Sequence, residues 1–103
     1  MNKPETEYHQ SDIEKVFLKL ISNWNELTDF YNTEVKFDYD DPNDRLAYVD
    51  IGDISRFIVE KKKAEQTEKF EIFFENAEEI MIYGEPYVQE LIVIGLFEGI
   101  QNI

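Results

Sequence analysis

Asp38, Asp40, Asp41 and Asp44 crowd around Pro42 and Asn43, and carboxylates gathered at one turn raise the question of a calcium loop. An EF-hand loop needs glycine at its sixth place and glutamate at its twelfth. Counted from Asp38, those places hold Asn43 and Val49, so that motif fails. Three readings remain: a calcium site of another kind, a solvated turn whose Asp and Asn bond their own backbone, or an acidic knob for a basic protein. A second constellation is Glu68, Glu71, Glu75, Glu78 and Glu79, which fall within about 100° of one another on a helix. Glu71 with Glu75, and Glu75 with Glu79, are like charges four residues apart, each costing a few tenths of a kcal/mol. Only Lys69 offers local relief. The row is either a solvated face or a surface matched to a positive partner that relieves the repulsion. A third is Glu98, which shares a helical stripe with Tyr87, Leu91 and Ile94. Buried there it needs a partner. Arg56 is the first candidate and Arg45 the second; the alternative is a frayed last turn that lets Glu98 reach water.

Catalysis is poorly supplied. The single histidine, His9, sits in a polar leader, and Ser11, Ser22 and Ser55 have no base near them in sequence. The chain has no cysteine, so thiol catalysis, disulfides and zinc-thiolate sites are excluded. No phosphate-binding glycine loop occurs. Paired carboxylates serve glycosidases, but acids this abundant carry little specificity. The expectation is a non-enzymatic protein without cofactor or metal.

These groups sit in a chain of 103 residues with 23 acids and 10 bases, a formal charge of −13. So much like charge destabilises a small domain, which argues that the acids have a use. It also argues against direct binding to nucleic acid, since the one basic cluster, Lys61-Lys62-Lys63, suits the negative end of a helix dipole. Residues 64–103 alone hold nine acids and one base, a net of −8. The N-terminus, MNKPETEYHQ, lacks the apolar core of a signal peptide. The longest apolar run, Leu91 to Phe97, is too short to span a bilayer. A cytoplasmic protein that stays off membranes is expected.

The elements that must position these residues are mostly helical. Residues 1–10 read as a loose leader of one domain covering 1–103. Ser11 and Glu14 have capping-box spacing. Ile13, Val16, Phe17, Leu20, Ile21, Trp24 and Leu27 then form one stripe, predicting a helix to about Phe30 or Tyr31. Residues 34–49 alternate around the Asp-rich turn, giving either a short β-hairpin or an ordered loop pinned by aromatics. A second helix is expected after Gly52-Asp53, ending near the lysines. A third runs from about Thr67 to Tyr83, its apolar side formed by Phe70, Phe73, Phe74, Ala77, Ile80 and Met81. Gly84 ends it, and Pro86 opens a fourth that runs to about Gln101. That fourth helix is apolar in nearly every direction and is expected to be the most buried. The fold class is mainly α: a small, four-helix bundle-like domain.

The segments Gly52-Asp53-Ile54-Ser55-Arg56-Phe57-Ile58 and Val88 to Asn102 carry a resemblance. They are similar to a bacterial domain family of unknown function, with a GD-x-x-x-F segment and a C-terminal VQ…GL-x-E-x-x-x-N helix. The resemblance implies a small helical cytoplasmic protein, and some members look like immunity proteins for secreted toxins. It implies structural roles for Gly52, Asp53, Glu98 and Asn102, and no functional residue.

The expectation is therefore an acidic binding protein that neutralises a basic protein partner, most plausibly a toxin domain such as a nuclease. The glutamate row or the Asp-rich turn would cover the partner's positive cleft, with Tyr39 and Tyr48 as aromatic anchors. Two rivals stand beside it. One is a phage-type inhibitor imitating nucleic acid. The other is a self-associating module whose fourth helix is completed by a second copy; the oligomeric state is left open.

Overall fold

The computed structural model of the chain describes residues 5–35 and 46–101. Within them a 3-10 turn, Gln10–Asp12, leads into α1 (Ile13–Ile21). After a bend comes α2 (Asn25–Phe30), extended by a π turn over Tyr31–Val35. Two longer helices follow, α3 (Ala47–Lys63) and α4 (Phe70–Tyr83). Then α5 (Pro86–Glu90), a π segment (Leu91–Phe97) and α6 (Glu98–Gln101) run on without a break as the last helix. The mainly α class holds.

Packing follows from the apolar spacings. Val16, Phe17, Leu20 and Ile21 are buried, and α1 lies against α4. Trp24 fills the centre of one half, with its ring 5.4 Å from Phe57 and 6.1 Å from both Phe70 and Phe73. Phe17 stacks on Tyr31 at 5.8 Å, and the Tyr31 hydroxyl donates to the Glu14 carboxylate at 2.8 Å. Among the described residues, no buried side-chain nitrogen or oxygen lacks a hydrogen-bond partner. Buried polar groups are costly when unsatisfied, so this core is closed on its own terms.

The first predicted helix is two. Its apolar stripe continues past Ile21, but the backbone turns at Ser22–Trp24, where Asn23 adopts φ 65°. Asparagine tolerates that left-handed conformation better than most residues. The turn is pinned from α4: the amide of buried Asn76 donates to the Ser22 carbonyl at 3.2 Å and lies 3.1 Å from its hydroxyl. The capping box does not form, since no side chain caps α1 and Glu14 is engaged by Tyr31.

Three further expectations are corrected. The second helix starts at Ala47 rather than after Gly52, because Ala47, Ile51, Ile54, Ser55 and Ile58 are a buried helical row. The flanks of the expected hairpin are therefore helical, with Glu34 and Val35 in the π turn and Ala47–Val49 in α3; residues 36–45 lie outside the described residues. The leader is not loose throughout. Tyr8 is buried and bridges Gly84, with Glu7 and Tyr8 amides donating to the Tyr83 carbonyl and Glu85 donating back to Tyr8. Glu85 accepts from the Gln10 amide at 2.5 Å and lies 3.3 Å from His9 Nδ1. Those contacts, the Gln10 amide first, hold the Glu85 carboxyl below its usual pKa.

The last helix packs on α3 through missing side chains. A Cβ on Gly95 would lie 2.5 Å from Ile51 Cγ2, and one on Gly99 would lie 2.8 Å from the Ser55 hydroxyl. The Ser55 hydroxyl sits 3.0 Å from the Ile51 carbonyl and 3.2 Å from those of Gly95 and Leu96, so it reaches both helices. Close approach buries Leu91, Ile92 and Leu96 completely. It does not bury the helix all round: Val93 is 39% and Ile94 46% exposed.

Candidate protein-interaction face

Four of the five glutamates, Glu71, Glu75, Glu78 and Glu79, lie on α4 as the spacing predicts, whereas the helix starts at Phe70 and leaves Glu68 in the turn before it. Glu68 precedes the helix, Glu71, Glu75 and Glu78 are exposed along it, and Glu79 is half-buried at its edge. Glu79 is engaged: its carboxylate lies 2.6 Å from Lys19 Nζ on α1. That hydrogen bond raises the Lys19 pKa above its ordinary value. Glu68, Glu71, Glu75 and Glu78 make no ion pair among the described residues, and Lys69 bridges none of them.

The rest of the molecule treats its charges differently. Lys61 pairs with Glu26 and sits over the Phe57 ring, Arg56 pairs with Asp53, and Lys63 lies 3.9 Å from Glu60. Lys61 to Lys63 occupy the last turn of α3, as their suitability for the dipole's negative end predicts. Among the described residues, the α4 row is therefore a run of exposed carboxylates without ion pairs, whereas Lys19, Arg56, Lys61 and Lys63 each meet a carboxylate.

The row is not purely polar. Phe74 is 37% exposed between Glu71 and Glu78, and Ile82, four residues after Glu78, is exposed in the same line. Periodicity places Phe74 in the apolar stripe with Phe70 and Phe73, whereas its ring is partly exposed and Ile82 joins it on the outer side. The position of Ile82 one turn beyond Glu78 was the available signal. Phe74 turns outward because Phe73 takes the core place against Trp24, while Phe74 packs edge-on to Phe70 and Phe73.

Tyr48 lies on another side, at the start of α3. It is half-exposed and meets Tyr87 of the last helix edge-on at 6.3 Å. Partial burial, then the nearby Glu90 carboxylate, raises its phenol pKa. Tyr39 and the Asp38, Asp40, Asp41 and Asp44 cluster lie outside the described residues. Glu98 and Arg56 are not brought together: Arg56 pairs with Asp53, and Glu98 is exposed. The reason is the π segment. A π turn takes an extra residue per hydrogen-bonded loop, so a projection at α-helical pitch goes out of phase beyond Leu91. Asp53 keeps a structural role through Arg56, whereas Gly52 does not need to be glycine for space, its nearest contact being 4.0 Å from an added Cβ.

Chemically, this arrangement can attract and hold cations on a half-apolar surface. The one histidine is committed to Glu85, and the depression lined by Phe30, Glu34, Asp53, Arg56, Phe57 and Glu60 brings together carboxylates, a guanidinium and two phenyl rings, with no nucleophile beside a base. Among the described residues, no three metal-binding side chains converge, and no helix is long and apolar enough to cross a membrane.

Comparisons with curated proteins and with solved structures give no match. The model of one family does match, over residues 17–103, from the middle of α1 through the glycine-lined last helix, and the chain accordingly belongs to DUF7674, a domain of unknown function.

Proposed function

We propose that this domain is a non-enzymatic binding protein that neutralises a basic protein partner by covering its positively charged surface with the outer face of α4. The observation that carries this reading is the set Glu68, Glu71, Glu75 and Glu78, exposed and without ion pairs among the described residues, interleaved with exposed Phe74 and Ile82. Carboxylates that repel one another in the free protein gain most from a cationic partner. The exposed Phe74 ring and Ile82 side chain supply apolar area that charge alone does not.

The partner that best fits occlusion is a toxin domain whose substrate cleft is positive, such as a nuclease, with this chain as its immunity protein. Charge complementarity then acts chiefly on the rate of encounter, which electrostatic steering raises well above the neutral range. Tagged chain purified from its native cell is expected to bring down a basic protein. With that protein purified, the association rate is expected to fall steeply between low and physiological salt, because the Debye length shortens to about 8 Å. An on-rate indifferent to ionic strength overturns the reading.

A further inference from the structure

Among the described residues, the outer face of the last helix carries an exposed apolar ridge. Val93 and Ile94 are adjacent, β-branched and exposed at 39% and 46%. The same helix carries Tyr87, paired edge-on with Tyr48, and Phe97, whose ring lies 6.3 Å from Phe74 of α4. Phe97, three residues after Ile94, thus links the last helix through Phe74 to the glutamate row. The backbone beneath the ridge is the π segment Leu91–Phe97, a departure from α geometry of a kind that gathers at functional sites.

The rim decides the occupant. Glu90 and Glu98 on the last helix, and Glu71, Glu75 and Glu78 beside Phe74, are exposed and make no ion pair among the described residues. A second copy of a chain carrying −13 would set carboxylate rim against carboxylate rim. A partner with cations around an apolar centre would satisfy both parts at once. Resting on the reading that the partner is basic, we infer that the Val93–Ile94 ridge is the apolar centre of the same interface, and that the partner presents an amphipathic basic element to it.

The inference is tested on the full chain with two synthetic probes: a Leu/Lys amphipathic helix of about five turns, some 18 residues, and a polylysine of equal charge. The amphipathic peptide is expected to bind about tenfold tighter than polylysine, and Val93→Ser with Ile94→Ser to remove that advantage while leaving polylysine affinity unchanged. Leu18→Ser, on α1 and equally exposed, is the control and keeps the advantage. Ile94→Thr alone, a milder change, is expected to lose part of it, which guards against a folding defect in the double variant. Equal binding of both probes, or an advantage that survives the double substitution, overturns the inference. So does a wild-type dimer in light scattering that the double variant converts to monomer. Failure of the basic-partner reading looks different: polylysine then binds the Glu71→Gln, Glu75→Gln, Glu78→Gln variant as well as it binds wild type.

Discussion

The inner seam of the last helix and the outer face of α4 are built on opposite principles. In the seam, Gly95 and Gly99 leave no space for one more carbon, and Ser55 reaches carbonyls on two helices. On the outer face, carboxylates without ion pairs among the described residues stand around an exposed phenyl ring. The seam's groups are satisfied within the fold; Glu71, Glu75 and Glu78 of the face have no ion pair among the described residues. A folding requirement explains the first and leaves the second unexplained, which is why the face, rather than the seam, is the candidate for function.

The comparison breaks most readily at the glycines. Gly95→Val or Gly99→Val is expected to cost about 1–3 kcal/mol or more through overpacking. In a domain of this size that lowers Tm by roughly 4–8 °C per kcal/mol, readable by calorimetry. Either variant melting like wild type would show that the seam has slack. Next in size is Asn76→Ala, which leaves Ser22 without its amide partner at the α1–α2 bend; a loss of about 1–3 kcal/mol is expected in urea titration. Gly52→Ala sharpens the contrast with the other glycines. It lies inside α3 with nothing closer than 4.0 Å to the added methyl, so a gain of about 0.5–1 kcal/mol is expected.

Glu85→Gln tests the pinned N-terminal segment through pH. The folded-state pKa of Glu85 is lowered, so its stabilising contribution is present above the unfolded carboxylate pKa, about 4.3, and is lost as pH falls through the lower folded value. The variant should melt below wild type at neutral pH and converge with it in acid. A difference that persists unchanged into acid would assign the effect to packing. Smallest of all, Glu71→Gln with Glu75→Gln should leave stability unchanged or raise it by a few tenths of a kcal/mol. A marked loss would mean the row serves the fold.

Much of the architecture was legible from spacing. The glutamate side of α4, its end near Gly84 and the lysine-closed end of α3 follow from periodicity and end signals, while α4 starts at Phe70, three residues after the expected Thr67. What was not legible depended on how the backbone travels. The stripe from Ile13 to Leu27 tells which side faces the core, and both short helices bury their part of it on either side of the Asn23 bend. Of the two readings of Glu98, the buried pair with Arg56 fails and exposure to water holds, because a π segment shifts the phase that a helical projection assumes. Tyr8 was overlooked because one aromatic among polar residues gives no period; its bridge to Gly84 spans most of the chain. The site was legible as charge. Its apolar half, Phe74, Ile82, Val93 and Ile94, depended on which neighbour filled the core first.

The central claim is that charge at a particular place, and not the total of −13, recruits the partner. Two triple variants with the same net charge separate these directly. One carries Glu71→Gln, Glu75→Gln and Glu78→Gln on α4, and the other carries Glu34→Gln, Glu60→Gln and Glu65→Gln elsewhere on the exposed surface. Stopped-flow association with the purified basic partner at low salt is expected to slow about tenfold or more for the first and little for the second. Equal slowing in both would contradict the account.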